Sequence, residues 1–308
     1  MRRRVLRREG AIRMTDRAKG IASIIASAFG FALMAACVRL ADDYGGPVSS
    51  FQKSFFRNVV ALAIALAVFA RSRLSACRAG SRCDSGTRLT PGSLLLLLLR
   101  SGLGTCGIFA NFYALGLVPI VDGQTLNKTA PFFTVAFAWL FFGEKASMRQ
   151  AVALALAFAG VVFVAKPGFA GDAAFPLAMG LLGGACAGGA YACVRALRRH
   201  AVEPAFIVLF FSAFSCLASV PFMLARFDPM TVGQVAILFG AGAGAAIGQF
   251  GITLAYGYAA PRDIAVYDYS NILFTAAFGL LLFGQVPDVW SVLGFALILA
   301  AAVRLNRP

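Results

Sequence analysis

Gln124, Asn127, Lys128 and Pro131 lie in the stretch QTLNKTAPFF, inside a segment otherwise apolar enough to cross a bilayer. At about 100° per residue the four side chains share one helix face, and Gln124 and Lys128 are i, i+4 neighbours. A cation in hydrocarbon is costly, and a proline removes a backbone donor. Such a face is expected to look into a wet cavity, where freed backbone groups are tolerated. The competing readings are helix–helix pairing for the polar residues and a packing kink for Pro131. The chemistry on offer is recognition rather than bond making: amides, one ammonium and a loosened carbonyl. A second stretch, YDYSNILFT, places Tyr267, Asp268, Asn271 and Thr275 on one face and supplies an acid. Asn111, Gln249 and Tyr256 are further candidate contacts.

Composition sets the elements that must position these groups. The 308 residues are 60% hydrophobic and 13% charged, with a mean hydropathy of +0.80; soluble chains carry about 25% charged residues. The long apolar runs predict an all-α polytopic membrane protein rather than a barrel of short alternating strands. Ten spans of about 20 residues are expected, at 20–41, 48–70, 93–117, 120–142, 147–165, 175–196, 205–225, 232–258, 263–284 and 288–305.

The net charge of +15 does not point to nucleic acid, because the basic residues sit between apolar runs and at the termini. With both termini cytoplasmic, the inside segments collect Arg71, Arg73, Arg78, Arg82, Arg88, Lys145, Arg149, Arg195, Arg198, Arg199 and Arg262, besides the basic ends. The opposite loops hold only Lys166 and Arg226. That asymmetry sets the orientation in the cytoplasmic membrane. Residues 1–19 read as a basic cytoplasmic tail rather than a cleaved signal peptide.

The chain repeats internally. Residues 132–167 align without a gap over 273–308, matching Thr134 with Thr275, Gly143 with Gly284 and Leu156 with Leu297. Asp122 falls over Asp263 and Asn127 over Asp268; nearer the start, ACVR at Ala36–Arg39 recurs at Ala192–Arg195. Two units follow, 20–167 and 175–308, of five spans each. An odd number of spans reverses the second unit, giving an inverted repeat of the kind secondary transporters use. An acid from one unit and a lysine from the other then approach the pseudo-symmetry axis. Lys128 and Asp268 are expected to pair, with substrate or a coupling proton competing for one partner.

The block from NFYALGLVPIVDGQTLNKTAPFFTVAFAWLFFGEK through GVVFVAKP, with its echo AYGYAAPRDIAVYDYSNILFTAAFGLLLFGQ, resembles the drug/metabolite transporter superfamily, in particular its EamA-like ten-helix members. The resemblance implies a central cavity ringed by spans 1–4 and 6–9, with spans 5 and 10 peripheral. It also implies movement of amino acids, nucleosides, other metabolites or drugs without ATP hydrolysis. Ile272 stands where the first unit has Pro131, and Gln285 where it has Glu144, so spans 4 and 9 need not behave alike.

The remaining polar residues have blander expectations. Asp122 and Asp263 sit at helix starts, where a carboxylate complements the dipole and caps amides. Lys53 and Arg57, one turn apart, either attract anions at the outer mouth or pair with Asp42 and Asp43. Arg39 and Arg100 are expected to snorkel from helix ends. The ladders Gly180, Gly184, Gly188 and Gly240, Gly244, Gly248 suit close helix packing, with a sliding surface as the functional alternative.

The sequence contains no GxSxG, Walker or HExxH motif and no CxxC, and its single histidine is His200. No enzyme, cofactor or metal site is therefore expected. The expected function is a secondary transporter of a small metabolite among membrane lipids; the alternative is a non-transporting scaffold or lipid-handling protein.

Overall fold

The computed structural model describes residues 2–78, 90–142, 148–165, 173–225, 227–259 and 267–306. Among these the chain is helical, with no strand. The helices are α1 (Arg2–Gly45), α2 (Ser50–Arg78), α3 (Pro91–Leu117), α4 (Ile120–Asn127), α5 (Ala130–Phe142), α6 (Met148–Ala165), α7 (Ala174–Arg199), α8 (Pro204–Ala225), α9 (Val232–Tyr258), α10 (Ser270–Phe283) and α11 (Val289–Asn306). Among the described residues, six segments are long and apolar enough to cross a membrane: Asp16–Gly45, Ser50–Leu74, Pro91–Leu117, Ala174–Arg199, Pro204–Ala225 and Val232–Tyr258. The apolar stretches Ser270–Phe283 and Val289–Ala301 are shorter. Glu144, Lys145, Lys166, Arg226, Arg262 and Asp263, on which part of the charge and capping argument rests, lie outside the described residues.

Two expectations on element bounds change. Helix α1 begins at Arg2, so the basic segment continues the first span as helix. The segment 120–142 is two helices, broken at Lys128 and Thr129. Pro131 has no N–H for the Asn127 carbonyl, and its ring crowds that carbonyl. The Thr129 hydroxyl takes up the neighbouring Leu126 carbonyl at 2.6 Å, and the Phe132 amide turns back to the Thr129 carbonyl at 3.0 Å.

The chain breaks again, without a proline, at the position that the sequence alignment of 132–167 over 273–308, extended upstream, matches to the first break. Tyr267 and Asp268 are helical, Tyr269 is a turn, and α10 starts at Ser270. Ser270 donates its hydroxyl to the Tyr267 carbonyl at 2.7 Å, and the Ile272 amide turns back to Tyr269 at 3.0 Å. Under the repeat alignment, Thr129 to Leu126 and Ser270 to Tyr267 are the same hydrogen bond.

The helices associate as α1 on α9, α3 on α7, α2 on α8 and α6 on α11, while α4 and α5 lie on α7, and α10 on α1. Both glycine ladders are packing surfaces. A methyl group on Gly184 would come within 2.5 Å of Thr129 Oγ1 and 2.7 Å of the Leu126 oxygen, so α7 is seated directly on the break. One on Gly244 would meet the Gly30 oxygen at 2.8 Å, so α9 and α1 touch backbone to backbone. Helix α10 ends at Gly284, which has φ 61°; there the Gln285 amide closes onto the Gly279 carbonyl at 3.0 Å, as in a left-handed helix C-cap. The Gln285 side chain in turn accepts from the Ile120 amide at 3.1 Å, capping α4.

Candidate functional site

The break between α4 and α5 opens onto a cavity of about 70 Å³, lined by residues of α1, α2, α3, α4, α7, α8 and α9 together with Lys128 of the break. Lys128 is 6% exposed and Asp268 is 5% exposed. The lysine ammonium lies 2.9 Å from each carboxylate oxygen of Asp268 and 6.0 Å from the centre of the Phe31 ring. Each charge sits at a helix interruption, Lys128 in the first break and Asp268 as the last helical residue before the second. Unpaired, either would be a buried charge in an apolar shell, so the pair is mutually required.

Asn111, Gln124, Asn127, Lys128 and Gln249 all line the cavity. Asn111 Oδ1 and Gln124 Nε2 are buried there without a hydrogen-bond partner. Gln249 accepts from Arg100 at 2.8 Å. Asn271 is fully buried and donates to the Ala28 carbonyl of α1 at 2.7 Å, which joins α10 to α1. Tyr256 packs edge-on against the cavity residue Tyr191, with ring centres 6.1 Å apart. Tyr267 stands apart at 37% exposure. The turn at Tyr269 interrupts the regular rotation on which the shared-face argument depended.

Several expectations are corrected. Arg100 does not snorkel: it is 2% exposed, on the cavity, with its guanidinium 3.5 Å from the centre of the Phe211 ring. Arg57 is 1% exposed and reaches Met34 Sδ at 3.0 Å and Asn58 Oδ1 at 3.3 Å rather than Asp42 or Asp43. Lys53 pairs with Asp42, which is one of its two expected readings, while Arg39 takes Asp43 at 3.3 Å and donates to the Gly116 carbonyl at 3.1 Å. Asp122 keeps the expected place in the first turn of α4, where its carboxylate complements the dipole, and also accepts from Ser291 of α11 at 2.7 Å; the Ile120 amide donates to Gln285. Sequence reasoning missed Arg100 and Tyr191. The signal for Arg100 was its place, after the run LLLLLL and well inside the third span.

These features define a multi-pass helical membrane protein with a polar cavity at a helix break. The chain belongs to the EamA-like transporter family, within the drug/metabolite transporter superfamily: that family matches residues 18–166. It is 30% identical to a pseudopaline exporter of Pseudomonas aeruginosa, over 73% of this chain and 79% of that protein. It is 31% identical to a riboflavin transporter of Vibrio cholerae, over 68% of this chain and 70% of that one. A protein of solved crystal structure shares the fold with a TM-score of 0.63 at 17% identity, over 96% of this chain and 98% of that chain.

Proposed function

We propose that the protein is a secondary transporter that carries a small metabolite across the cytoplasmic membrane by alternating access. Its ten spans form two inverted units, 20–167 and 175–308, with both termini cytoplasmic. The observation that carries the reading is the Lys128–Asp268 ion pair, which joins the two units across facing helix breaks beside a polar cavity.

Three features support the inverted repeat. The breaks share a register and the same hydroxyl-to-carbonyl bond. The helix contacts exchange in pairs, α1 on α9 matching α7 on α3, while α2 on α8 and α6 on α11 map onto themselves. Gly248 and Gly107, equivalent in the alignment, approach the equivalent residues Gly30 and Cys186.

Alternating access is supported by size. Metabolite pockets run to about 300–1,000 Å³, far above the 70 Å³ found here, so loading requires the units to separate. The packed glycine surfaces of α7 and α9 are where rigid units can rock. The relatives named as exporter and transporter handle pseudopaline and riboflavin, which supports small organic metabolites as the first candidates to try here. Asn111, Gln124, Asn127 and Gln249 would contact the substrate, while Tyr256, Asn271 and Pro131 shape the wall and the break.

The test is counterflow in proteoliposomes preloaded with pooled metabolites. Accumulation of at least one labelled compound against its pool, absent from protein-free vesicles, is expected. Lipid scrambling without solute counterflow would instead favour a lipid-handling protein.

A further inference from the structure

The cavity carries more positive charge than the ion pair uses. Arg57 and Arg100 are both nearly fully buried and both face it. No carboxylate among the described residues forms an ion pair with either. Of the Arg100 guanidinium, Nη2 donates to Gln249, while Nε and Nη1 are buried without a partner. Among the described residues Arg57 has only a thioether, a neighbouring amide and the Phe112 ring at 6.0 Å. A guanidinium stays protonated under all physiological conditions, so its burial without a counter-charge is costly. Lys128 does not share this condition, because Asp268 neutralises it.

We infer that Arg57 and Arg100 are the anion-binding end of the cavity, and that the substrate carries a carboxylate or phosphate group. This rests on the transport reading above and assigns its substrate class. Contact with Phe211 holds the Arg100 guanidinium in place and leaves Nε–H and Nη1–H, on different edges of the group, each without an acceptor, so each is open to a charge-assisted hydrogen bond with an anion. The second arginine on the same cavity suits an anion of up to two charges. Asn111 and Gln124 line the cavity, each has a polar atom without a partner, and they would hold the neutral part of the molecule.

The test begins with binding. The full chain in detergent is titrated with inorganic phosphate and with citrate at constant ionic strength, and thermal unfolding is followed in the low-millimolar range. Saturable stabilisation is expected for the wild type and for Lys19→Gln, an exposed control. Arg100→Gln and Arg57→Gln should weaken the apparent Kd about ten- to hundred-fold, the loss of a charged hydrogen bond. Should a glutamine variant aggregate, Arg100→Lys replaces it: a folded protein with weakened binding supports the guanidinium donors. Absence of saturable stabilisation, or an unchanged Kd in the arginine variants, overturns the inference.

Counterflow then compares glutamate with glutamine, and riboflavin monophosphate with riboflavin. At least a tenfold preference for an acidic member, lost in Arg100→Gln, supports the assignment. Equal movement of both members overturns it and leaves transport standing. Anion binding with no movement of any member leaves the site standing and overturns transport.

Discussion

Lys128 donates to both carboxylate oxygens of Asp268 at 2.9 Å, and each residue sits where its own helix is interrupted. The contact joins residues far apart in the chain and ties one break to the other. A helix break exposes backbone polar groups, and a buried charge needs a counter-charge. Here the two needs meet at one place beside the cavity.

Gly184 is predicted to tolerate no side chain. Gly184→Ala places a methyl group against Thr129 Oγ1 and the Leu126 carbonyl, and overpacking of this kind costs about 1–3 kcal/mol. A lower unfolding midpoint in detergent and reduced transport are expected. An unchanged midpoint would mean that α7 does not rest on the break.

The matched hydroxyls Thr129 and Ser270 are predicted to contribute comparably. Thr129→Val and Ser270→Ala each remove one side-chain hydrogen bond to a carbonyl, worth about 0.5–1.5 kcal/mol. Denaturation of each variant checks this. A loss for Thr129→Val alone would show that only the proline-bearing break depends on its hydroxyl.

Gln285 is predicted to act as a cap in trans. Gln285→Ala leaves the Ile120 amide without its partner and should cost about 0.5–2 kcal/mol. Gln285→Glu keeps an acceptor, adds a charge favoured at a helix N-terminus, and should be close to neutral. Equal losses in both variants would show that the amide group itself is needed.

Tyr267 and Gln249 are predicted to separate sharply. Tyr267→Ala alters an exposed side chain and should leave transport within about twofold. Gln249→Ala removes the one hydrogen-bond acceptor that the described residues give the Arg100 guanidinium and leaves a buried charged group unsatisfied, which costs more than a neutral bond. Initial rates at saturating and limiting substrate measure both.

Much of this was legible in the sequence, and the gaps have physical causes. The apolar runs place α9 at the expected bounds, and the repeat register alone already points Lys128 at Asp268. Pro131 announces the first break. The second has no proline, so its signal was Ser270, whose hydroxyl competes for a helix carbonyl, a weaker cue. Tyr267 was misplaced because rotation per residue holds only along an unbroken helix. Arg100 was misjudged because an arginine some seven residues into a span can either reach the interface or turn inward. Which it does depends on Phe211 and Gln249, two residues contributed by distant helices.

The most direct measurement is counterflow of the identified substrate by Lys128→Ala, Asp268→Asn and the exchanged pair Lys128→Asp with Asp268→Lys. Each single change strands one buried charge and should lower transport by at least about tenfold, on the scale of a broken buried pair. The exchanged pair restores opposite charges at the two breaks and should recover a measurable fraction, above either single variant. An exchanged pair as inactive as the single variants, or single variants that transport like the wild type, would contradict the account.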